Sequence, residues 1–111
     1  MPVHKLDEIH EELVTPKHSS ARGRLVTGEQ IELGVLRFKA GEGAEHHAHP
    51  HEQVLLVLSG RVRMTIGGEA YDLGPRELAH MPPNVPHGLT ALEDTEVVSA
   101  KGIVGGVGHR I

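Results

Sequence analysis

Residues 46–60 read H-H-A-H-P-H-E-Q-V-L-L-V-L-S-G, and the interpretation of the chain starts from this stretch. Four of its first six residues are histidines, in a chain of 111 residues that holds 10 histidines in all. His47 and His49 are two positions apart, which places both side chains on one face of a strand but on different faces of a helix. The apolar run at 54–58, closed by Gly60, favours the strand. Because neutral imidazole binds Zn, Fe, Ni and Cu, we interpret this pair as half of a metal site.

The composition is that of one ordinary globular domain, with 38% hydrophobic and 23% charged residues. A net charge of −4 gives neither the basic footprint of a nucleic-acid-binding protein nor the signature of a membrane-surface protein. The chain has no cysteine, so a metal must be held by histidine, carboxylate or amide groups. We recognise no signal peptide and no apolar window of transmembrane length, so the cytoplasm is the expected compartment.

From Arg24 onward, apolar and polar residues alternate in short runs separated by turns. The runs predict about eight short strands, a pattern typical of an antiparallel sandwich or barrel. A change in the phase of the alternation predicts a bulge near Gly34, and Gly67-Gly68 predicts a two-residue hairpin turn. The predicted organisation has three parts: an N-terminal arm and loop with about one helical turn at 1–23, a β-barrel at 24–101 and a loosely ordered tail at 102–111.

Two histidine motifs in this all-β context resemble those of the cupin superfamily, whose members are small jelly-roll barrels that usually hold a metal inside. The first cupin motif consists of a glycine, a His-x-His pair, a glutamate and a closing glycine. This chain matches its spacing with Gly41, His47, His49, position 53 and Gly60. The second motif supplies one histidine after a proline-rich turn, and His87 follows P-P-N-V-P. The resemblance covers roughly residues 24 to 100 and implies an all-β, single-domain cupin jelly-roll β-barrel of short antiparallel strands.

The resemblance also implies a set of metal ligands, namely His47, His49, Gln53 and His87. Gln53 stands where the motif usually has glutamate, so all four ligands are uncharged and a divalent ion keeps its full positive charge. We expect this to favour Lewis-acid polarisation of an oxygen atom over iron-type oxygen activation. The sequence does not choose among Zn, Mn, Fe, Ni and Co. The alternative for Gln53 is a hydrogen bond to water or substrate, and the alternative for the cluster is a solvated histidine-rich turn.

Two further histidines are candidates for proton transfer. His80 interrupts an apolar run, and is either a core histidine with satisfied hydrogen bonds or a general acid/base beside the metal. His51 shares the parity of His47 and His49, and we expect it beside the ligands or at the rim of the site. The remaining candidates are predicted to lie on the surface: His4, His10, His18 and His109.

The leading functional interpretation is a metal-dependent enzyme that catalyses isomerase, cyclase or lyase chemistry on a small oxygen-rich molecule. The string H-x-H-P-H-E-Q resembles that of small cupins that include sugar-acid enzymes, and metal-dependent polyketide cyclases are similar, so the implied substrate is a sugar acid or a polyketide-like compound. The alternatives are a metal-dependent dioxygenase and a non-catalytic module that binds a metal or a small ligand. The resemblance further implies a homodimer, because cupins often pair through sheet edges. No nucleic-acid or membrane partner is expected.

Overall fold

The computed structural model describes residues 2–111, which form ten β-strands and one turn of 3-10 helix at Leu6–Glu8. The strands are β1 (Glu12–Leu13), β2 (Arg22–Thr27), β3 (Ile31–Phe38), β4 (Gly43–His47), β5 (Gln53–Ser59), β6 (Val62–Ile66), β7 (Glu69–Leu73), β8 (Leu78–Met81), β9 (His87–Ala91) and β10 (Thr95–Gly102). They make a six-stranded sheet, in the order β1-β2-β3-β10-β5-β8, and a four-stranded sheet, β4-β9-β6-β7. All pairings between strands are antiparallel, so the all-β barrel predicted from the sequence is confirmed. Across residues 2–111, no helix has the length and apolar character needed to cross a membrane.

The strand register divides the interior of the barrel into a polar end and an apolar end. In the β10–β5 ladder, Lys101 lies opposite Gln53, whereas Val97 lies opposite Val57. In the β10–β3 ladder, Lys101 also lies opposite Glu32. The side chains of all five residues point inward, because inward-facing positions alternate along each strand. The apolar end is filled mainly by Leu36, Phe38, Val57, Val62, Met64 and Val97.

Strand β3 is continuous at Gly34, where the sequence predicts a bulge. Its eight residues pair without a shift of register with both β2 and β10. Ile31 and Leu33 lie on the outer face, whereas Leu36 and Phe38 are buried on the inner face. The alternation changes phase because the apolar residues lie on the outer face in the first half of β3 and on the inner face in its second half.

The N-terminal arm is part of the barrel. The sheet begins ahead of the predicted boundary at residue 24, because β2 starts at Arg22 and β1 pairs with it. Val14 is only 1% exposed and belongs to the hydrophobic core. The helical turn predicted in the arm corresponds to the 3-10 turn at Leu6–Glu8.

The C-terminal tail is fixed by a buried hydrogen-bonded pair. His109, predicted to lie on the surface, is 1% exposed, and its Nδ1 donates to Oε1 of Glu32 at 2.6 Å. The backbone N–H of His109 donates to the same oxygen at 2.6 Å, and the Thr15 hydroxyl donates to the His109 carbonyl at 2.6 Å. Arg110 pairs with Glu12 at 2.7 Å. These bonds attach the tail to both β3 and the arm.

Within this pair, Glu32 is ionised and His109 is neutral at neutral pH. Burial raises the pKa of Glu32, but hydrogen bonds from Thr27 and His109 outweigh burial and lower the pKa overall. Burial lowers the pKa of His109 to about 4, against the opposing effect of the hydrogen bond to Glu32. The neutral ring donates from Nδ1, so its Nε2 accepts the hydroxyl hydrogen of Ser99 at 2.8 Å.

We predict that the free energy of unfolding falls less on acidification in His109→Gln than in the wild type. The pKa of His109 falls from 6.5 in the unfolded chain to about 4 in the fold, so the unfolded state binds the proton more tightly. The stabilisation that neutral His109 contributes is complete above its pKa in the unfolded chain. It is lost as the pH falls towards the pKa of His109 in the fold. Between about pH 7 and about pH 5 the loss is about 2 kcal/mol. Urea unfolding at both pH values measures it, with the exposed His80→Gln as the control. An identical acid-induced loss in wild type and His109→Gln would contradict the prediction.

Candidate metal centre

Three histidines come together at the polar end of the barrel. His47 ends β4 and His87 begins β9, and the two residues pair in register. His49 lies in the loop at 48–52, so the prediction of one strand through His47 and His49 is wrong. The ligand nitrogens of the three side chains nevertheless all lie within 4.8 Å of one another. His49 and His87 are buried and His47 is half-buried.

Backbone carbonyls fix the orientation of all three rings. Each ring donates its Nδ1 hydrogen to a carbonyl two residues away, in the bonds His47–Glu45 (2.6 Å), His49–His51 (3.1 Å) and His87–Val85 (3.0 Å). The lone pair of each neutral ring is then on Nε2. Nε2 of His49 is buried and has no hydrogen-bond partner, which costs free energy unless an ion or another group binds it. Histidines that ligate metals usually donate their other N–H in this way.

The surroundings keep the three rings in the neutral form that binds metals. Burial is the largest cause and lowers the pKa of all three, to about 4 for His49. The bonds to the backbone carbonyls oppose burial at His47 and His87, while the charge of Lys101 acts in the same direction as burial. Three neutral imidazoles with a buried, unpartnered nitrogen among them therefore fit a divalent transition metal.

Gln53 lies on the inner face of β5 and lines the cavity beside the histidines. Its amide Nε2 donates to Oγ of Ser99 at 2.8 Å. Oε1 is consequently the atom of Gln53 that is left to bind a metal or a substrate. Ser99 in turn donates to His109, and His109 donates to Glu32, so a chain of hydrogen bonds that ends at a buried carboxylate orients this amide. Direct ligation by Gln53 stays a prediction.

The cavity next to the histidines has a volume of about 50 Å³ and holds the side chain of Lys101. Lys101 is 2% exposed, and burial lowers its pKa to about 8, against the opposing charge of Glu32. The amine is therefore mainly protonated at neutral pH. Lys101 shares the parity of the buried Val97 and Ser99 on β10, so the alternation along this strand also indicates that it faces inward.

The two histidines predicted to transfer protons occupy different environments. The expectation that His80 lies beside the metal is wrong, because β8 turns its side chain to the outer face, where Nε2 donates to Glu52 at 2.7 Å. His51 is buried next to the cluster, as expected for a residue beside the ligands. Its carbonyl accepts from His49, and its Nε2 donates to the carbonyl of Val107 at 2.7 Å. His51 thus orients His49 and attaches the tail.

His18 is a neighbour of the cluster that sequence reasoning missed. It was predicted as a surface residue, but its ring stacks on that of His47 with centroids 4.8 Å apart and planes 2° from parallel. Its Nδ1 lies 3.0 Å from Oε1 of Glu45. The N-terminal arm therefore covers one side of the histidine cluster.

Comparisons with known proteins agree with this architecture. Residues 34–100 match the family described as Cupin domain. H2HPP isomerase of Bacillus subtilis is 41% identical over 56 residues, which are 50% of this chain and 24% of that relative, so the chain spans about a quarter of its length. An RmlC-like cupin from Shewanella frigidimarina superposes with a TM-score of 0.84 at 17% identity, over 95% of this chain and 93% of the other. KdgF from Halomonas sp. superposes with a TM-score of 0.81 at 23% identity, over 92% of this chain and 93% of the other.

The family match covers more than half of the chain and includes all three histidines of the cluster as well as Gln53. Gly60, which closes the first motif, has a φ of +87°. A Cβ atom there would overlap the backbone of Asp94, so the turn after β5 requires glycine. The sequence match, the fold and these motif residues together show that the chain belongs to the cupin family.

Proposed function

We propose that this cupin is a metal-dependent enzyme that catalyses an isomerase, cyclase or lyase reaction on a small oxygen-rich molecule, of the sugar-acid or polyketide-like class. The observation that carries the proposal is the cluster of three neutral imidazoles, each oriented by a backbone carbonyl, with ligand nitrogens within 4.8 Å of one another. The relative named H2HPP isomerase supports the isomerase branch of the proposal.

His47, His49 and His87 would hold the ion, with Oε1 of Gln53 as the proposed fourth ligand. A bound Zn, Mn, Fe, Ni or Co ion would act as a Lewis acid that polarises a carbonyl, enol or carboxylate oxygen and acidifies the adjacent C–H. The Ser99 hydroxyl holds the amide nitrogen of Gln53, which keeps Oε1 available. Within residues 2–111 no carboxylate joins the cluster, whereas iron oxygenases commonly use two histidines and a carboxylate. The uncharged ligand set therefore favours the Lewis-acid function over the dioxygenase alternative.

We predict that protein purified without a histidine tag, or reconstituted with each of the five ions in turn, contains about one ion per chain. His47→Ala should lower metal affinity by about 100-fold or more, beyond the 10–100-fold effect typical of groups that only orient a ligand. Elemental analysis measures the metal content, and competition with a chelator measures the metal affinity.

The control His80→Ala removes an exposed histidine and should change neither the metal content nor the metal affinity. Full retention of affinity in Gln53→Ala would place Gln53 outside the ligand set, and a wild-type protein that takes up no ion would contradict the proposal.

We further predict that the metal-loaded protein exchanges a C–H next to a carbonyl for deuterium in heavy water, because Lewis-acid polarisation acidifies that position. Proton NMR on a panel of small keto acids measures the exchange, with the His47→Ala protein as the control. Oxygen uptake with Fe(II) and no exchange would instead favour the dioxygenase. Metal binding without either reaction would favour the non-catalytic module.

The outer face of the six-stranded sheet supports the proposal of a homodimer. Ile31 is 57% exposed, Leu33 is 48% exposed and Leu78 is 61% exposed, and all three lie on this face. Leu33 pairs across the ladder with Ala100, which pairs in turn with Val54, so the apolar surface continues across three strands. Exposed contiguous apolar surface of this kind is typical of protein–protein contacts. The cytoplasmic location inferred from the sequence stays a prediction.

We predict that the wild-type chain has the mass of a dimer in light-scattering chromatography and that Leu33→Lys shifts it to the mass of a monomer. Placing a charge in the centre of a buried apolar contact costs several kcal/mol unless it is paired, enough to dissociate a micromolar dimer. Val104→Lys is the matched control, because Val104 is similarly exposed but lies in the tail. A monomeric wild type at concentrations of about 100 μM would argue against the dimer.

A further inference from the structure

We propose that Lys101 binds an anionic oxygen of the substrate, a carboxylate, inside the cavity beside the metal centre. The proposal rests on the proposed function and narrows its substrate class to small carboxylic acids, or to larger molecules that insert a terminal carboxylate. Three observations carry it, which are the position of Lys101, the lack of a protein partner for its charge, and the composition of the cavity.

Lys101 keeps almost none of its surface in bulk solvent. It is 2% exposed and is the largest of the side chains that are almost completely buried. Lysines that lie at a surface usually bury the alkyl stem and keep the ammonium group in water. Here β10 directs the side chain into the cavity that His47, His87 and Gln53 also line.

No group of the described chain pairs with this charge. Among residues 2–111, no hydrogen bond and no ion pair within 4.0 Å involves the Lys101 ammonium group. Glu32, its neighbour in the ladder, is already bound by Thr27, His109 and Arg110. Burying a charge is costly unless it is paired. An anion in the cavity would provide the missing partner.

The polar groups of the cavity are suited to an anion. Most of the cavity wall is apolar, with Leu55, Met64 and Met81 among its residues, but in the described chain its polar groups are imidazole, amide, hydroxyl and ammonium groups, and no carboxylate is among them. A divalent ion at the histidines would add further positive charge, so the field inside favours a negatively charged ligand. A cavity of about 50 Å³ has room for a few water molecules, and so for a small group such as a carboxylate.

This arrangement also has a consequence for the proposed chemistry. Transfer of a proton from a carbon next to a carbonyl to a water molecule leaves negative charge on the substrate, and an unneutralised carboxylate nearby would oppose this charge by repulsion. An ammonium group on the carboxylate cancels that repulsion before the charge develops. Lys101 would thus act as a residue that both selects the substrate and eases the formation of its enolate.

The test uses glycolate as the probe and glycolamide as its uncharged counterpart of nearly the same shape. Calorimetric titrations are run on zinc-loaded and metal-free wild type, on Lys101→Met and on Lys39→Met, an exposed lysine outside the cavity. We expect wild type to prefer glycolate by at least 10-fold and Lys101→Met to lose about 10- to 100-fold in glycolate affinity, as is typical when a hydrogen bond to a charged group is removed. Lys39→Met should bind like wild type, and metal content should be equal in all three proteins.

The two proposals fail in different ways. Equal glycolate affinity in wild type and Lys101→Met, at normal metal content, would overturn the role of Lys101 and leave the metal centre intact. A wild type that binds no metal would overturn the proposed enzyme, while a glycolate preference that depends on Lys101 in that metal-free protein would still support the anion site. NMR of the Lys101 side-chain signals in wild type needs no variant. Glycolate should shift them and glycolamide should not, and the absence of a glycolate shift would contradict the inference.

Discussion

Each of the three clustered histidines gives its Nδ1 hydrogen to a backbone carbonyl only two residues away. The bond partner is set by the local path of the chain, so each segment fixes its own ring orientation and tautomer. The barrel then has only to bring together the end of β4, the following loop and the start of β9. The orientation of each ring is therefore local, whereas the assembly of the three rings depends on the barrel.

The polar end of the barrel contains two buried charged groups, Glu32 and Lys101, which differ in their hydrogen-bond partners. The Glu32 carboxylate accepts hydrogen bonds from Thr27, from the backbone and ring of His109, and from Arg110, so it is fully satisfied. That satisfied carboxylate fixes His109, which fixes Ser99, which orients Gln53. The charge of Lys101 has no such set of partners. The Glu32 carboxylate therefore has a structural role, whereas the side chain of Lys101 is directed at the cavity.

Much of the fold and the grouping of the three histidines could be predicted from short stretches of sequence. Alternation along the strands predicts the all-β barrel, and the resemblance of the two histidine motifs to those of cupins implies that His47, His49 and His87 lie together. Each of these patterns lies within a stretch of a few residues, because strand alternation and turn residues are local features of a sequence. The three histidines come together even though His49 lies on a loop instead of a strand.

The errors arose where the deciding partner is remote or where both faces of a strand are apolar. The buried position of His109 depends on Glu32, 77 residues earlier, and no local pattern indicates that contact. The apolar neighbours of His80 predict that it lies inside the barrel, yet Leu78 on the same face is 61% exposed. The predicted bulge in β3 fails for the same reason, since the outward Leu33 is as apolar as the inward Leu36. On a sheet with an apolar outside, hydrophobicity does not indicate which side is the core.

The division of the barrel into an apolar and a polar end implies that its two halves tolerate change by different rules. At the apolar end, around Phe38 and Val57, a substitution is acceptable when it conserves volume, because packing there has no direction. At the polar end, a substitution must also conserve the direction of hydrogen bonds, or exchange several partners at once. The stability of the barrel and its chemistry can therefore diverge independently within one small fold. Polar replacements at one end would change which ligands the cavity fits, while the other end continues to hold the same structure together.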